Sequence, residues 1–563
     1  MGANRQIAHL FSEIASILEI QDSNPFRIQA YKKAADLISE MESDLSKMLS
    51  EGRDFSSMKG IGKDMSAKIQ EFFDTGAIEY HGKLRSEVGE GILEMLKIRG
   101  LGPKTARLFS DAGVKSVEDL EQRLHKGGGE DIKGIGKKKS EAILEALTFY
   151  KSNLSFHGLG KALAAAQVLR TRVLTIDGVV DASAVGALRR MTETVSEIEM
   201  LVSFKGDEKR FFNTLSSLDW TQSVECLKDP ETPKAVVSSD IEIQTVVYLT
   251  PPENFYFNLA RLTGSEKHWE KLTSAKKGKV SRLARSEEDL YSNLGFEFIV
   301  PELREDLGEI EAAKKGALPR LVELADIRGD LHTHTNWSDG RDSVETMVRA
   351  ALEKGYEYIA LTDHSPSSKV ANGLDAERVA LKIEEVKKIN SLLDGIEVFC
   401  GSEVDIKPDG SLDYPDDILS ELDFVVASIH GSFSQDSDAV TKRVICALEN
   451  PFVHVLGHPT ARIIGRRAPC AIDIEKITDA ALSNGKALEI NASCDRLDLK
   501  DEHACIAARK GVKLIISTDA HAVRHFESMA CGVAVARRGW CERGNFLNAL
   551  PLEDLRNWLK TRG

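Results

Sequence analysis

Histidine and carboxylate side chains recur in short clusters between residue 330 and the end of the chain. Both side-chain types are ligands for divalent transition metals. Two or more such ions held close together can activate water and stabilise the departing oxygen of a phosphoester. This pattern predicts a multi-metal phosphoesterase site. The clusters are Asp330-Leu331-His332-Thr333-His334, Thr362-Asp363-His364, Glu403, His430, His458 and Asp519-Ala520-His521.

The elements that must position these side chains alternate along the chain. After residue 330, short apolar runs typical of β-strands are separated by amphipathic stretches typical of helices. This alternation predicts a parallel β/α barrel, in which functional groups lie at the carboxyl ends of the strands. The candidate strands are 358–361, 397–400, 424–427, 453–456, 487–490 and 513–517.

Three Gly-x-Gly turns interrupt the helical pattern that runs to about residue 151. A single turn of this kind is usually only a connection between helices. Three copies with basic flanks predict helix-hairpin-helix motifs, because the glycines permit a tight turn and the next helix presents backbone amides to a phosphate. We therefore expect sequence-independent binding to the DNA backbone. The predicted contact residues are Gly60, Gly62, Lys63, Gly100, Gly102, Lys104, Gly134, Gly136 and Lys137.

Bulk composition narrows the class of protein. A chain of 563 residues is too long for one hydrophobic core. It contains no apolar run of about eighteen residues, so no membrane span is expected. Eight scattered cysteines without a Cys-x-x-Cys pair favour a reduced, cytoplasmic setting over a disulfide framework. The formal charge of −14 restricts nucleic-acid binding to local basic patches or backbone amides.

Further segments resemble the bacterial family X DNA polymerases that carry a C-terminal PHP (polymerase and histidinol phosphatase) domain. Residues 24–27 and 30–35 are similar to the start of that family's small N-terminal domain. Residues 263–265 and 301–305 are similar to its thumb and linker, and residues 326–334 to its entry into the PHP barrel.

The resemblance implies a multidomain fold. We expect an all-α helix-hairpin-helix N-terminal region, an α+β nucleotidyltransferase-type palm with a thumb, and a C-terminal distorted β/α barrel. Between 155 and 300, β-type runs such as 197–204 and 241–249 alternate with helical stretches, as an α+β region requires. The implied domains are a small helical domain (1–90), a fingers-like helix-hairpin-helix domain (91–153), the palm (154–255), the thumb (256–308), a linker (309–326, helical over 309–323) and the PHP domain (327–563).

Nine positions match the metal ligands of the PHP family, and none is substituted. The resemblance implies three divalent ions, and the mixed imidazole and carboxylate ligands suit manganese, zinc or iron better than magnesium. Glu403, Asp519 and His334 are expected at the catalytic centre. The implied ligand groups are His332, His334, Glu403 and Asp519; Glu403, His430 and His458, with Glu403 bridging; and Asp339, His364 and His521.

Polar residues next to these ligands are candidates for orienting them. Asp405, Asn491 and Asp363 could hold ligand rings or carboxylates through hydrogen bonds. The alternative is that they are ordinary polar residues at strand ends.

The palm-like region departs from the family pattern. Family X polymerases hold two magnesium ions with a pair of aspartates one residue apart and a third on a neighbouring strand. Here the pair is Glu197 and Glu199, and the third position falls on Val246. Ala187 replaces a serine that helps to hold the triphosphate. Because valine binds no metal, we interpret the palm as a DNA-binding scaffold; the alternative is one retained magnesium or manganese ion and feeble transferase activity.

Two sets of basic residues have less specific interpretations. Lys68 matches the lysine with which animal relatives of the family remove 5′-deoxyribose phosphate through a Schiff base. A phosphate clamp or plain surface charge is the alternative. Arg462, with Arg466 and Arg467, follows His458 and could contact DNA phosphates, or form a solvated loop.

The leading hypothesis is a monomeric, metal-dependent 3′→5′ exonuclease that processes 3′ ends in DNA repair. Its polymerase half would mainly bind gapped or primer-template DNA. One alternative keeps both activities, as a gap-filling polymerase with its own nuclease. Another is a phosphatase for small phosphomonoesters, which would need none of the three hairpin motifs. A DNA-binding scaffold without catalysis would not need the complete ligand set.

Overall fold

The computed structural model of the chain describes residues 3–41, 45–53, 55–58, 60–98, 100–127, 129, 131–228, 232–274 and 280–560. The chain forms two compact units. The first unit comprises Met1–Leu154 with Gly465–Arg467, and the second comprises Ser155–Ile464 with Ala468–Gly563.

The first unit is helical because its apolar residues recur at three- and four-residue intervals. Ile7, Phe11, Ile14 and Leu18 illustrate this spacing on the first helix, and all four side chains are buried. The helices are α1 (Ala3–Ile20), α2 (Pro25–Glu40), α3 (Leu45–Ser50), α4 (Lys63–Thr75), α5 (Glu79–Val88), α6 (Glu90–Met95), α7 (Pro103–Asp111), α8 (Val117–His125) and α9 (Lys137–Asn153).

The second unit begins with a mixed sheet in the order β2-β4-β7-β6-β5, in which only the β4–β7 pair is parallel. Helices α10 and α12 contribute to the core beside it. A short pair, β1 and β3, lies outside this sheet. The elements are β1 (His157–Gly158), α10 (Leu159–Val173), β2 (Val179–Ala184), α11 (Gly186–Arg189), β3 (Thr194–Val195), β4 (Ile198–Phe204), α12 (Glu208–Ser216), β5 (Thr221–Leu227), β6 (Lys234–Ser239) and β7 (Thr245–Thr250).

The helices that follow this mixed sheet, which is the sheet of the palm, have a hydrophobic core of their own. That core includes Phe257 and Tyr291. Arg304 is fully buried there, because Glu287 neutralises its guanidinium at 2.6 Å and the carbonyl of Ile299 accepts a further hydrogen bond. The helices are α13 (Phe255–Thr263), α14 (Glu266–Ser274), α15 (Glu287–Leu294) and α16 (Glu309–Lys315).

The remainder of the second unit is a parallel sheet whose strands pair in sequence order, from β8 to β14. Nearly every strand residue is buried, as expected for strands covered on both faces. The elements are β8 (Gly329–Thr333), α17 (Val344–Glu353), β9 (Tyr358–Leu361), α18 (Ala376–Leu392), β10 (Glu397–Asp405), α19 (Asp416–Leu419), β11 (Phe424–Ser428), α20 (Ser437–Leu448), β12 (Val455–Leu456), α21 (Ile474–Asn484), β13 (Ala487–Asn491), α22 (Asp501–Lys510), β14 (Leu514–Ser517), α23 (Met529–Arg538) and α24 (Leu552–Lys560).

Short 3-10 segments complete the described elements. They are Phe55–Ser57, Pro252–Asn254, Pro301–Leu303, Leu324–Asp326, Lys369–Ala371, Val523–Ser528, Arg543–Asn545 and Leu547–Ala549.

The first and last strands of this sheet meet at a seam that a side chain closes. The amide of Asn548 donates to the carbonyls of Gly329 in β8 (3.0 Å) and Ile516 in β14 (2.6 Å), and it accepts from the amide of Ile516 (3.1 Å). Asn548 is fully buried. Thr333, at the end of β8, forms a parallel bridge with Ala520, which lies just beyond β14. The sheet therefore curves into a nearly closed barrel.

The expected fold class is confirmed, with local corrections. The predicted strand 241–249 is wrong for residues 241–244, which form a turn before β7 because β6 and β7 run antiparallel and must reverse there. The predicted helical linker 309–323 is helical only over Glu309–Lys315, since Gly316 ends the helix with a left-handed backbone. Among the described residues, no helix has both the length and the apolar composition that a membrane span requires.

Replacing Asn548 with alanine should destabilise the barrel. Three buried backbone groups would lose their partner together, so we expect a loss of about 3 kcal/mol or more. Denaturant titration of the full chain, followed by tryptophan fluorescence, measures this loss. Asn557→Ala, at an exposed position on α24, is the matched control. Equal midpoints for both variants would contradict the role of Asn548 in closing the barrel.

Candidate metal centre and nucleic-acid interface

The nine predicted metal ligands converge at the carboxyl ends of the barrel strands. Parallel strands that pair in sequence order bring these ends to one rim, so residues far apart in the chain become neighbours. His332 lies on β8 and Glu403 on β10, and His334, Asp339, His364, His430, His458, Asp519 and His521 follow the ends of β8, β9, β11, β12 and β14.

Glu403 lies at the centre of the cluster, with its carboxylate buried. Burial alone would raise the pKa of Glu403, but the surrounding imidazoles hold it well below its usual range. Its two oxygens are therefore the common point of contact for the rings of the cluster. Oε1 lies 2.8 Å from His458 Nε2 and 3.1 Å from His430 Nε2, and Oε2 lies 3.0 Å from His364 Nδ1, 3.5 Å from His332 Nε2 and 3.6 Å from His334 Nε2.

The ligand-type atoms form three groups, and within each group they lie within 4.8 Å of one another. The predicted division differs slightly, because His334 and His364 each belong to two of these groups. His458 reaches the cluster through its contact with Glu403. The groups are His334, Asp339, His364 and His521; His332, His334 and Asp519; and His364, Glu403 and His430.

The chemistry of these side chains fits divalent ions. Buried polar atoms in proteins nearly always have hydrogen-bond partners. Here several buried ring nitrogens and one carboxylate oxygen of the cluster have none. Coordination to divalent metal ions would satisfy them. The atoms are His332 Nε2, His334 Nδ1 and Nε2, His364 Nδ1, His458 Nδ1 and Nε2, and Glu403 Oε1.

Two of the predicted orienting residues contact ligands directly. Asp405 Oδ1 lies 2.5 Å from His430 Nδ1, which leaves Nε2 of that ring facing Glu403. The amide of Asn491 donates to Asp519 Oδ2 at 3.1 Å. Both contacts restrict the orientation of a ligand, as supporting residues in metal sites commonly do.

The third candidate, Asp363, contacts Thr335 and Lys382. It accepts hydrogen bonds from the backbone amide (2.8 Å) and hydroxyl (2.9 Å) of Thr335, and Lys382 lies 2.8 Å away. Burial alone would raise the pKa of Asp363, but Lys382 and these hydrogen bonds lower it to about 2. Through Thr335, Asp363 thus stabilises the loop between β8 and Asp339.

Glu489 on β13 is a contributor that the sequence pattern did not reveal. It is fully buried, and its Oε1 lies 2.7 Å from His332 Nδ1 and accepts from the hydroxyl of Ser517 at 2.6 Å. Its Oε2 accepts from the backbone amide of His458 at 2.5 Å. The available signal was an acidic residue two positions before Asn491, since alternate residues of a strand share a face.

Two of the candidate ligands have an unusual backbone conformation. His458 has φ +25° and Asp519 has φ +54°, both in the left-handed region that non-glycine residues seldom adopt. Such positions cost roughly 1–3 kcal/mol each and concentrate at functional sites. The fold therefore stabilises an unfavourable backbone in order to aim these side chains inward.

The described residues of the palm form no comparable cluster. Glu199 on β4 lies directly opposite Val246 on β7, so the inferred alignment of the missing third aspartate agrees with the strand register. Val246 packs in an apolar cluster. Burial raises the pKa of Glu199, and its Oε1 accepts a hydrogen bond from Tyr248 at 3.0 Å. Among the described palm residues, no three ligand-type side chains come together.

Three further acidic residues of the palm are Glu197, Asp240 and Glu242. Glu197 precedes β4 and is half-buried. Asp240 and Glu242 are close to Val246 in the sequence, but both are engaged in ion pairs. Asp240 pairs with Arg172 at 2.5 Å and Glu242 with Lys161 at 2.7 Å. Neither carboxylate replaces the missing ligand, which weighs against the transferase alternative.

Two consecutive arginines of the palm, Arg189 and Arg190, bind other groups of the protein. Arg189 contacts Glu287 at 2.5 Å, and Arg190 contacts Glu305 at 2.9 Å. Arg190 also donates to the carbonyl of Thr263 at 2.8 Å. Both guanidiniums therefore tie the palm to the helices that follow it.

The three Gly-x-Gly turns share one backbone conformation. The first glycine of each turn is left-handed, with φ of +105°, +85° and +97° at Gly60, Gly100 and Gly134. The second glycine is extended and immediately precedes a helix (α4, α7 or α9). All six glycines are exposed, as are Lys63, Lys104 and Lys137. This geometry presents helix amides and a lysine outward at each turn, as phosphate binding requires.

Lys68 lines a cavity of about 310 Å³ in the first unit. Its ammonium lies 2.5 Å from Asp64 Oδ1 and 5.2 Å from the ring centre of Tyr80. A Schiff base needs a neutral amine. The ion pair with Asp64 is typical of a charged lysine, so the geometry favours the phosphate-clamp alternative.

Arg462 is buried, which corrects its predicted exposure to DNA. It donates to the carbonyls of Arg496 (2.9 Å) and Leu497, and it pairs with Glu193 of the palm at 2.6 Å. A basic residue in a loop after a strand resembles a surface contact in sequence. The nearby carbonyls and carboxylate account for its burial instead.

Comparison with protein families identifies three segments. Residues 2–78 match the family described as helix-hairpin-helix domain, and residues 92–148 match the SAM-like helix-hairpin-helix tandem. Residues 330–493 match the PHP domain. The fold and these matches together define a class of protein that joins helix-hairpin-helix modules and a nucleotidyltransferase-type palm to a PHP barrel.

Whole-chain comparison specifies the family. A protein of Bacillus subtilis (strain 168), described as "DNA polymerase/3'-5' exonuclease PolX", is 36% identical over 572 residues, which cover 99% of each chain. The present chain therefore belongs to the PolX family, the bacterial family X DNA polymerases with a PHP domain. Probable phosphatases of Thermoanaerobacter sp. (strain X514) and Shewanella sediminis (strain HAW-EB3) are 36% and 30% identical and match 34% and 42% of this chain, respectively, and 78% and 94% of their own.

Glu489→Gln should weaken metal binding without removing any ligand. The substitution removes the negative charge that faces His332 Nδ1, and loss of such a supporting interaction typically reduces metal affinity about 10- to 100-fold. Competition with a chromogenic chelator measures the affinity. Glu502→Gln, an exposed change on α22, is the control. If both variants retain metal as tightly as the unaltered protein, Glu489 does not support the cluster.

Proposed function

We propose that this chain is a metal-dependent 3′→5′ DNA exonuclease that processes 3′ ends in DNA repair, and that its polymerase half serves mainly as a DNA-binding scaffold. One observation carries the proposal. The barrel brings nine candidate imidazole and carboxylate ligands together, with Glu403 at their centre, whereas the palm has Val246 opposite Glu199. Magnesium demands near-ideal octahedral geometry, so the palm is poorly suited to two-metal chemistry.

The side chains of the barrel divide the work of such a site. Divalent ions bound there would supply Lewis-acid activation of water and neutralise phosphoryl charge. Glu403 holds the imidazoles around a common carboxylate, and Glu489 and Asp405 orient the rings of His332 and His430. The predicted reaction breaks the bond between phosphorus and the 3′ oxygen, and releases a nucleoside 5′-monophosphate.

The accessible edge of the cluster suits a terminal nucleotide. Asp339 and His521 are 35% and 28% exposed in their side chains, whereas Glu403 is about 1% exposed. They border a cavity of about 590 Å³, which lies within the range of about 300–1,000 Å³ typical of ligand pockets. The three Gly-x-Gly turns would bind the DNA backbone, on gapped or primer-template substrates.

Two alternatives have specific support. The description of the Bacillus subtilis relative includes both polymerase and exonuclease, which favours a bifunctional enzyme. The probable phosphatases favour action on small phosphomonoesters. The helix-hairpin-helix turns weigh against the second alternative, since a small substrate needs no DNA-backbone contacts.

A labelled-DNA assay tests the proposal. We expect the protein to shorten a 5′-labelled gapped duplex in the presence of manganese, and His334→Ala to abolish shortening because this ring faces both Glu403 and Asp519. His9→Ala, at an exposed position on α1, is the matched control. Each reaction is run with and without deoxynucleotides, and denaturing gels resolve the products.

The possible outcomes separate the hypotheses. No shortening with manganese, zinc or iron would refute the nuclease. Clear extension by His334→Ala when deoxynucleotides are present would refute the inactive palm. Release of phosphate from nucleoside monophosphates without DNA shortening would favour the phosphatase.

Neutralising the lysines of the three turns should weaken DNA binding. For duplex DNA, the slope of log affinity against log salt concentration becomes shallower by about 0.9 for each phosphate that the protein no longer neutralises. The combined variant Lys63→Gln, Lys104→Gln and Lys137→Gln should therefore bind less tightly and with a shallower slope. Fluorescence anisotropy across a salt series measures both quantities. Lys388→Gln, exposed on α18, should change neither, and an unchanged slope in the combined variant would exclude these lysines as phosphate-binding groups.

A further inference from the structure

Arg496 extends into the cavity beside the metal-ligand cluster. Its Nε lies 3.4 Å from Asp519 Oδ2, and its side chain is 19% exposed. Its Nη1 is buried and has no hydrogen-bond partner. A buried guanidinium N–H without an acceptor is unfavourable unless a ligand supplies one.

The other cations that line this cavity differ from Arg496. Arg443 donates to the carbonyls of Ile406 and Gly431 and to the side chain of Gln435. Lys407 lies 3.6 Å from Asp413, and Lys369 is exposed. Among the described lining residues, Arg496 thus combines a contact to a candidate ligand with an unsatisfied buried donor.

The backbone that carries Arg496 is held on both sides. Arg462 donates to the carbonyl of Arg496 at 2.9 Å. On the other side, the backbone amide of Ser493 donates to Asn491 Oδ1 at 3.1 Å, and the amide of Arg496 donates to the carbonyl of Ser493 at 2.8 Å. The loop is therefore organised before any ligand binds, which lowers the entropic cost of placing the guanidinium.

We propose that Arg496 is a phosphate-binding residue of the barrel, which grips the non-bridging oxygens of the scissile phosphodiester at a DNA 3′ end. The proposal rests on the nuclease function proposed above. A planar guanidinium can offer two parallel N–H donors to a phosphoryl group. Water adds to phosphorus, the bond from phosphorus to the 3′ oxygen breaks, and that oxygen acquires a proton. Arg496 neutralises charge on the phosphoryl oxygens throughout.

Substitution at this position separates phosphate binding from metal binding. We expect Arg496→Ala to keep its metal content, measured by mass spectrometry of the elements, while kcat/KM on the gapped duplex falls about 10²- to 10³-fold. Arg496→Lys should recover only part of this loss, because lysine provides a point charge without the fork. Added guanidinium ion should partly restore the alanine variant. Arg509→Ala, exposed on α22, should behave as the unaltered protein.

A binding measurement makes the inference independent of turnover. The metal-loaded protein is titrated with deoxyadenosine 5′-monophosphate, the product class of the proposed reaction, by calorimetry. We expect at least a tenfold weaker affinity in Arg496→Ala.

The results distinguish the inference from the proposed function. Unchanged turnover and unchanged monophosphate binding in Arg496→Ala would overturn the inference. Loss of metal in that variant would also overturn it, since Arg496 would then only support Asp519. If the unaltered protein shortens no DNA, the nuclease proposal fails, and monophosphate binding alone decides whether Arg496 binds phosphate.

Discussion

The structure of the barrel depends on one buried carboxylate. Glu403 lies within 3.6 Å of ring nitrogens from five histidines, although burying a charge in a protein interior is costly unless it is compensated. The imidazoles provide that compensation, and they come from the ends of four strands, β8, β9, β11 and β12. Because every ring must meet the same carboxylate, the strand order, the curvature of the sheet and the seam at Asn548 all have to be correct together. Glu489 and Asp405 then fix ring orientation.

The chain contains two potential phosphoryl-transfer sites, which differ in whether their polar groups have partners within the protein. In the barrel, polar atoms left without partners face one another. In the palm, comparable groups are satisfied internally: Glu199 bonds Tyr248, and Arg190 bonds Glu305. Barrel and palm are also joined directly, because Arg538 donates to the carbonyl of Arg190 and to Glu305. Arg462 makes a second connection through Glu193. The palm thus contributes ion pairs to the support of the barrel while lacking a ligand set of its own.

Much of the site could be predicted because metal ligands leave a strong local pattern. His332 and His334 are separated by one residue at the end of an apolar run, so their convergence follows from the geometry of parallel strands. Asp405 and Asn491 were also predictable, as polar residues on strands that end at the same rim. Glu489 was missed, because its only signal was a position two residues before Asn491 on the same face of the strand. Arg462 was assigned wrongly because sequence alone cannot show which carbonyls surround a loop arginine.

The sequence by itself indicated the class of fold, because helices and strands follow periodicities of 3.6 and two residues. The resemblance to the family X polymerases implied the candidate ligand inventory and the loss of the palm's third carboxylate. A short ungapped alignment placed the family's third aspartate at Val246, and the structure shows that Val246 lies opposite Glu199. Only the tertiary structure decided which side chains share a carboxylate, which arginines are committed to ion pairs, and that Arg496 has a buried donor without a partner. Those properties depend on distances between residues far apart in the chain, and local sequence does not encode such distances separately.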